Sequence, residues 1–332
     1  MNIRFPKCIR EPRLFDQTIL TDDPVEYVEL YLRRERQSDA IFYWRQAKEF
    51  LDVTSNLSLT SAPLPLYYSY LNAAKALLAS KGIAFREHHG VGSATSKSRR
   101  KISLSNEMIK FWTTGVAAEL CKYFGDPIPG NPISLKNCLS NIPYVQRTFC
   151  LTYRSFSSIL VSLRNVEFEA DTSTGFFHVR VLLEEDAAPK PFMARTLPSS
   201  LEVRGGVVRS VDSVSVSDPE KFTEPEISNM KALSEKLRKD LVYIKGHETL
   251  WYLMKDTRAK LSLNSTLLTF IAMHRLSEVS RYQPKQLSSF LEGGENWLIS
   301  EFIRMSPIQF FDQISAEITG GYFMTPNVRK PR

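Results

Sequence analysis

The sequence predicts an α+β protein that is mainly helical and has a small antiparallel β lobe in the middle of the chain. Three observations predict it: apolar residues recur three and four apart in the first part of the chain, alternate with polar residues between about 145 and 217, and return to helical spacing after Thr223. We therefore expect a helical region at 1–130, a β lobe at 145–217, and a C-terminal helical region at 223–320 that packs on the first.

Four amphipathic helices are expected in the first region, and the third is the clearest. Its apolar residues form one stripe, its alanines allow a neighbouring helix to approach closely, and Gly82 stands where a helix commonly ends. The stripe consists of Tyr67, Tyr70, Leu71, Ala74, Leu77 and Leu78. The four helices are expected at PVEYVELYLRRER, DAIFYWRQAKEFLDV, LPLYYSYLNAAKALLAS and SLSNEMIKFWTTGVAAELCKYFG.

Two hairpins are expected in the β lobe. RNVEFEA and FFHVRVLL alternate around the turn DTSTG, and LEVR and VVRSVDSVSVS flank the pair Gly205-Gly206. In the first hairpin, His178 is expected to face Glu167 or Glu169 as a cross-strand pair.

The last region is predicted to begin with a capped helix. Thr223 is a suitable N-cap, Pro225 suits the first turn, and Glu224 and Glu226 suit the helix dipole. Helical stretches are expected near 225–244, 247–258, 264–282 and 294–318.

Composition argues against several classes of protein. The apolar stretches are much shorter than the roughly 20 residues of a membrane span, and the N-terminal segment lacks the apolar core of a secretory signal, so we expect a cytoplasmic protein with no membrane contact. No CxxC pair and no histidine at ligand spacing accompany the cysteines, so we expect buried thiols, no metal and no cofactor. The cysteines are Cys8, Cys121, Cys138 and Cys150.

The net charge of +7 is concentrated in one loop. The stretch REHHGVGSATSKSRRK carries five cations against one carboxylate, Glu87. Clustered positive charge binds polyanions, so this loop is a candidate site for RNA or DNA; the alternative is a solvated connector. It lacks the spacing of a P-loop, which argues against a nucleoside triphosphatase. The nucleic-acid-binding candidates are Lys97, Arg99, Arg100 and Lys101.

Two groups of side chains are candidates for chemistry. His88 and His89, with Arg86 beside them, could act as acid–base groups near neutral pH, or the histidines could be structural. On a later helix, a polar face combines three residues at i, i+4 and i+7 spacing, which favours a hydrogen-bonded seam over a ligand site. These residues are His274, Glu278 and Arg281.

The stretch LPLYYSYLNAAKALLASKGIAFREHHG resembles the pattern of HEPN-type helical domains. Together with RYQP at 281–284 and WLISEFIRMSPIQFFDQISAEITG at 297–320, it is similar to the bacterial YaaC-like proteins over most of the chain. HEPN domains are helical bundles, frequently dimeric, and many are ribonucleases of toxin or antiviral systems with an R-x4-6-H motif. The resemblance implies a HEPN-like bundle and a homo-oligomer or a protein partner.

The ribonuclease motif of that family is not met here, because only one or two residues separate Arg86 from the histidines. The resemblance then favours a non-catalytic component that binds nucleic acid or a partner in a bacterial defence or stress system. One alternative is a metal-independent HEPN-like ribonuclease with a displaced site at Arg86, His88 and His89. A second is a scaffold that contacts only protein.

Overall fold

The chain has an α+β architecture, as the sequence predicts. A computed structural model describes residues 2–94, 102–171, 175–184, 195–204, 206–218 and 221–326. Contacts divide the chain into two compact units. The sheet unit comprises Met1–Asp22, Ile159–Lys260 and Gly320–Arg332, and the helical unit comprises Asp23–Ser158 and Leu261–Thr319.

The elements of the described residues follow in chain order. The helices are α1 (Pro24–Arg34), α2 (Ser38–Thr54), α3 (Pro63–Ser80), α4 (Val116–Phe124), α5 (Leu135–Ser140), α6 (Gln146–Thr152), α7 (Glu224–Leu237), α8 (Ser265–Tyr282), α9 (Pro284–Glu292) and α10 (Asn296–Thr319). The strands are β1 (Asn2–Arg4), β2 (Ile19–Leu20), β3 (Val91–Ala94), β4 (Met108–Phe111), β5 (Ile133–Ser134), β6 (Leu160–Asp171), β7 (Phe176–Leu183), β8 (Leu201–Arg204), β9 (Val207–Ser210), β10 (Val214–Ser215), β11 (Leu241–Lys245), β12 (Thr249–Met254) and β13 (Phe323–Met324).

The sheet unit is built on an antiparallel sheet with eight strands among the described residues, which is larger than the small lobe expected. Its order is β11-β12-β6-β7-β9-β8, with β1 added to β6 and β10 added to β7. Both predicted hairpins are confirmed, because β6 pairs with β7 and β8 pairs with β9. His178 lies opposite Glu169, as expected. The buried face shares one apolar core with α7.

Helix α7 begins as predicted. Thr223 is the N-cap residue, Pro225 lies in the first turn, and the carboxylate of Glu226 accepts the backbone N–H of Thr223 at 2.7 Å. In return, the Thr223 side chain accepts the backbone N–H of Glu226, which completes a capping box. A capping box satisfies two backbone N–H groups that have no partner within the helix.

The predicted helical stretch at 247–258 is wrong, and the stretch at 225–244 is too long. Helix α7 ends at Leu237, and the antiparallel hairpin β11–β12 follows. The strands read LVYIK and TLWYLM, which are rich in β-branched and aromatic residues. Short apolar runs of this kind fit a strand or a helix equally well by periodicity, and pairing with β6 decides the outcome.

The fourth predicted helix is also wrong in its first half. Met108–Phe111 forms β4, which pairs with β3 on one side and β5 on the other, and α4 begins only at Val116. Gly115 has φ 99°, a conformation that interrupts a helix. MIKF alternates between buried and exposed residues, which is the two-residue period of a half-buried strand.

The helical unit is organised around α3, whose predicted apolar stripe is buried. Tyr70 stacks on Phe310 at 4.2 Å between ring centroids and donates to Ser306 Oγ at 2.7 Å, so α10 packs directly on α3. Ser69 donates to the carbonyl of Ala47 in α2 at 2.7 Å, where small residues allow close approach. Helices α1, α2, α8 and α10 match predicted helices, whereas α5, α6 and α9 are additions. Helix α6 lies at the start of the range where the β lobe was expected.

Candidate functional site

The loop with the histidine pair starts where α3 ends. Gly82 (φ 65°) donates its N–H to Ala79 at 3.0 Å, and Ile83 donates its N–H to Leu78 at 2.9 Å. These two bonds form a Schellman motif, which requires a residue that tolerates positive φ. The predicted helix end at Gly82 is confirmed.

The histidine pair is anchored to the first turn of α4. The carbonyl of His88 accepts the N–H of Val116 at 3.0 Å, and the carbonyl of His89 accepts the N–H of Ala117 at 3.0 Å. A Cβ at Gly115 would stand 2.5 Å from the His88 ring, so glycine is needed for this approach. The first N–H groups of α4 are therefore satisfied by the backbone of the loop.

The side chain of His89 reaches a buried polar cluster. Tyr67 Oη lies 2.5 Å from His89 Nδ1, and the ring of His274 meets the ring of Tyr67 edge-on at 4.8 Å. The two imidazole rings are 5.5 Å apart. His274 is 4% exposed, and its Nδ1 has no hydrogen-bond partner among the described residues, although Glu278 Oε2 lies 3.8 Å away. The structure thus joins two histidines that the sequence separates widely.

A second layer of charge supports this cluster. Arg275 donates to Glu278 at 2.8 Å and to the buried carboxylate of Glu107 at 2.6 and 3.0 Å, and Gln286 also donates to Glu107. A buried carboxylate is tolerated because a guanidinium and an amide satisfy it. The ion pairs fix α8 to the segment before β4.

Both histidines of the cluster are electrically neutral at pH 7. Burial lowers the pKa of His89, with smaller contributions from Lys75 and His88. Burial, helped by His89 and Arg275, lowers the pKa of His274 to about 3. Burial raises the pKa of Tyr67. The cluster therefore holds hydrogen-bonding groups without a mobile charge on these three side chains.

Beside the same loop lies an exposed aromatic and cationic face, which we call the Trp112 face (His88, Lys110 and Trp112). The Trp112 indole lies over Gly92 of β3, where a Cβ would stand 3.1 Å from the ring. His88 meets the indole edge-on at 5.8 Å. Trp112 is 44% exposed, and the side chains of His88 and Lys110 are exposed as well.

The structure separates some of the predicted site residues. Among the described residues, it records no side-chain hydrogen bond from Arg86 to either histidine, whereas Tyr67 contacts His89. On α8, His274 and Glu278 share the cluster as expected, but Arg281 is exposed and lies over the Tyr282 ring at 4.9 Å. The predicted nucleic-acid-binding residues Lys97, Arg99, Arg100 and Lys101 lie outside the described residues.

Other expectations concern metals, thiols and membranes. Within the ranges that the structure describes, no three His, Cys, Asp or Glu side chains are placed to hold a metal ion. Cys8, Cys121 and Cys138 are buried, as expected, whereas Cys150 is only partly buried. Burial raises the pKa of the Cys121 thiol to about 12. In the same ranges, no helix has the length and apolar character needed to cross a bilayer.

A comparison with family models identifies the family of the chain. The model of the YaaC-like Protein family matches residues 14–318, which include most of both units. The chain belongs to the YaaC-like family. No curated protein and no solved structure matches it.

For this YaaC-like chain, the sequence missed the residues that complete the cluster. The sequence pattern predicts Tyr67 only as part of the apolar stripe of α3, and no motif includes Arg275 or Glu107. Each lies in an apolar or helical context that gives no functional signal by itself. One signal was present: Arg275 immediately follows His274 and lies three residues before Glu278, which is a spacing for an ion pair on a helix.

Proposed function

We propose that this YaaC-like chain is a non-catalytic component that binds single-stranded nucleic acid, with RNA as its ligand. The observation that carries the proposal is the Trp112 face. An exposed indole with cations beside it is the combination that single-strand-binding proteins use, because bases stack on the ring and phosphates pair with the charges.

The position of the indole supports this role. Trp112 follows β4 directly, and its backbone N–H donates to the carbonyl of Gly90 at 3.0 Å. His88 covers one edge of the indole, while Thr114 Oγ1 lies 3.2 Å from His88 Nε2. A ring held by its neighbours loses little conformational entropy when a base stacks on it.

The basic segment belongs to the same connection in the sequence. Ala94, the last residue of β3, pairs with Met108, the first residue of β4, and the residues between them include Lys97, Arg99, Arg100 and Lys101. These four cations supply the charge that a phosphate backbone requires. In the proposal they bind phosphates, and Trp112 stacks on a base.

The test measures the affinity of the full chain for a fluorescent single-stranded RNA by anisotropy. Trp112→Ala is expected to weaken binding about tenfold, because stacking on one aromatic ring contributes roughly 1 to 3 kcal/mol per base. Trp297→Ala is the matched control, since Trp297 is 57% exposed and lies in α10. Equal affinities of both variants and the wild type would reject the role of Trp112.

A ribonuclease is a second candidate, favoured by the meeting of Tyr67, His89 and His274. General acid–base cleavage needs one group that accepts a proton and another that gives one. The lowered pKa values of His89 and His274 leave both imidazoles neutral, so neither is a charged acid at pH 7. Incubation of the protein with RNA in a chelating buffer is expected to leave the RNA intact. Cleavage that His88→Ala/His89→Ala abolishes would establish the ribonuclease instead.

The proposal also covers the cellular system in which the chain acts and its oligomeric state. The resemblance to HEPN-type domains favours a bacterial defence or stress system and a homo-oligomer. Sedimentation of the purified chain measures the oligomeric state directly. If no nucleic acid binds, a scaffold that contacts only protein replaces the proposal.

A further inference from the structure

The sheet unit contains an open pocket of about 440 Å³ that belongs to no part of the proposed RNA site. Its walls come from the first strand, the segment that follows it, and the chain around the glycine pair at 320–321. The lining residues include Arg4, Lys7, Arg13, Phe15, Asp16 and Tyr322. A pocket of this volume has the size of a small-molecule site.

The pocket wall has an excess of positive charge. Among the described residues, fourteen line it, of which three are cations and one, Asp16, is a carboxylate. Asp16 lies 3.5 Å from Arg13, and both side chains are well exposed, so solvent screens this pair. Arg4 donates to the neutral hydroxyl of Thr18. Among the described residues, this recorded hydrogen bond does not neutralise the guanidinium, so Arg4 can pair with an anion.

Lys7 contributes a fixed charge to the wall. It is 1% exposed, donates to the carbonyl of Phe323 at 2.7 Å, and lies 5.0 Å from the ring centroids of Tyr243 and Tyr322. A buried ammonium group is costly unless dipoles or charges surround it. A carbonyl and two aromatic rings contribute to that compensation and hold the charge in the pocket wall.

Backbone contacts hold Arg13 in position. Its N–H donates to the carbonyl of Gly320 at 2.9 Å. Gly320 has φ 73°, and a Cβ there would stand 2.7 Å from the carbonyl oxygen of Glu11. Glycine at this position therefore allows the two segments of the wall to approach, which orders the segment that carries Arg13 before any ligand arrives.

We infer that this pocket binds a phosphomonoester of mononucleotide size. Arg4 and Arg13 pair with the phosphate, because guanidinium groups match phosphate oxygens in charge and in geometry. Phe15 is exposed, with Phe222 at 4.9 Å behind it, and offers a ring for the planar base. The inference uses residues other than those of the proposed RNA site, so either proposal can fail alone.

The experiment is isothermal titration calorimetry of the full chain with adenosine monophosphate. Binding is expected for this nucleotide, weaker binding for inorganic phosphate, and none for adenosine, because the phosphate supplies the charge pairing. Arg4→Gln/Arg13→Gln is expected to weaken nucleotide binding at least about tenfold, since hydrogen bonds to charged groups are the stronger class. Arg204→Gln is the control, because Arg204 is exposed on β8 and does not line the pocket.

Three results would overturn the inference. They are no heat with adenosine monophosphate, equal affinity for adenosine, or unchanged affinity in the double variant when its circular dichroism matches that of the wild type. If the double variant does not fold, Thr18→Val and Phe15→Ala test the phosphate end and the base end separately. Thr18→Val should alter phosphate binding, Phe15→Ala should alter nucleotide binding only, and no effect of either would reject the site.

Discussion

Individual residues of the helical unit show how burial sets their chemistry. His274 is enclosed by Tyr67, His89, Arg275 and Glu278, and its Nδ1 has no hydrogen-bond partner among the described residues. Its lowered pKa follows from that enclosure, because protonation would place a charge beside Arg275 in a poorly solvated site. His88, by contrast, is exposed on the other side of the loop. Two adjacent histidines of the loop therefore face different environments.

At the scale of single residues, we predict that the protein loses stability in acid. The folded-state pKa of His274 is about 3, below its ordinary value of 6.5, so the unfolded chain binds the proton more tightly. The contribution of neutral His274 to the free energy of unfolding is complete above pH 6.5. It is lost as the pH falls toward 3, at up to about 1.4 kcal/mol per pH unit. His89 adds to the loss in the same direction.

The measurement is the free energy of urea unfolding between pH 4.5 and 7.5. His274→Gln is expected to flatten the pH dependence, because glutamine keeps a polar group of similar size and does not titrate. His247→Gln is the control, since His247 is exposed. A His274→Gln profile parallel to the wild type would show that His274 is not the group responsible.

The sequence predicts part of this arrangement. The i, i+4 spacing of His274 and Glu278 places them on one face, and the clustered charge identifies the loop. The meeting of His89 and His274 was not predictable, because it depends on how α3 and α8 cross, and packing between distant segments determines that crossing. From the sequence alone, Tyr67 is therefore predicted only as a core residue.

At the scale of elements, the β3–β4 hairpin is the part of the fold that matters most for the proposed function. Its buried face includes Val91, Ile109 and Phe111, and its other face presents Lys110 and then Trp112. The sequence predicted a helix here, since SLSNEMIKFWTTG also contains apolar residues at helical spacing. The left-handed Gly115 and pairing with β3 and β5 determine the strand. Tertiary pairing thus overrode a local pattern.

A substitution at Gly92 tests whether this hairpin contributes to RNA binding. A side chain there would meet the Trp112 indole, since even a Cβ would be 3.1 Å from the ring, so Gly92→Val is expected to displace the indole. RNA affinity should then fall severalfold, approaching the effect of Trp112→Ala. Tryptophan fluorescence would report the displacement.

A matched control for that variant is available. Gly130→Val introduces the same side chain at an exposed glycine whose Cβ would meet nothing within 4 Å. It should leave both RNA affinity and fluorescence unchanged. If Gly92→Val shifts the fluorescence but binds RNA as the wild type does, the position of the indole is irrelevant to binding.

At the scale of the whole molecule, helical and sheet segments alternate along the chain while each unit gathers pieces from distant positions. The sheet unit combines the N-terminal strand with the hairpins, α7 and β13, and the helical unit joins helices from before and after the sheet. Periodicity predicted α1, α2, α3, α8 and α10 and the two central hairpins. It could not assign β1 to β6, because that pairing joins residues 2–4 to residues 167–169.

The central claim is that the chain binds single-stranded RNA through the basic segment and the Trp112 face, and a salt titration of RNA affinity tests it most directly. The wild type is expected to bind at low salt, with log affinity falling linearly as log salt rises. Arg99→Ala/Arg100→Ala/Lys101→Ala should reduce the slope by about 2, because each lost contact with a single strand removes roughly 0.7.

Two controls accompany the titration. Arg34→Ala/Lys285→Ala/Arg304→Ala removes the same charge from exposed helical positions and should have a much smaller effect on the slope. His88→Ala/His89→Ala should lower the melting temperature without a comparable change in slope, since lost hydrogen bonds cost on the order of 1 kcal/mol each. No RNA binding at low salt, or an unchanged slope in the Arg99/Arg100/Lys101 variant, would contradict the claim.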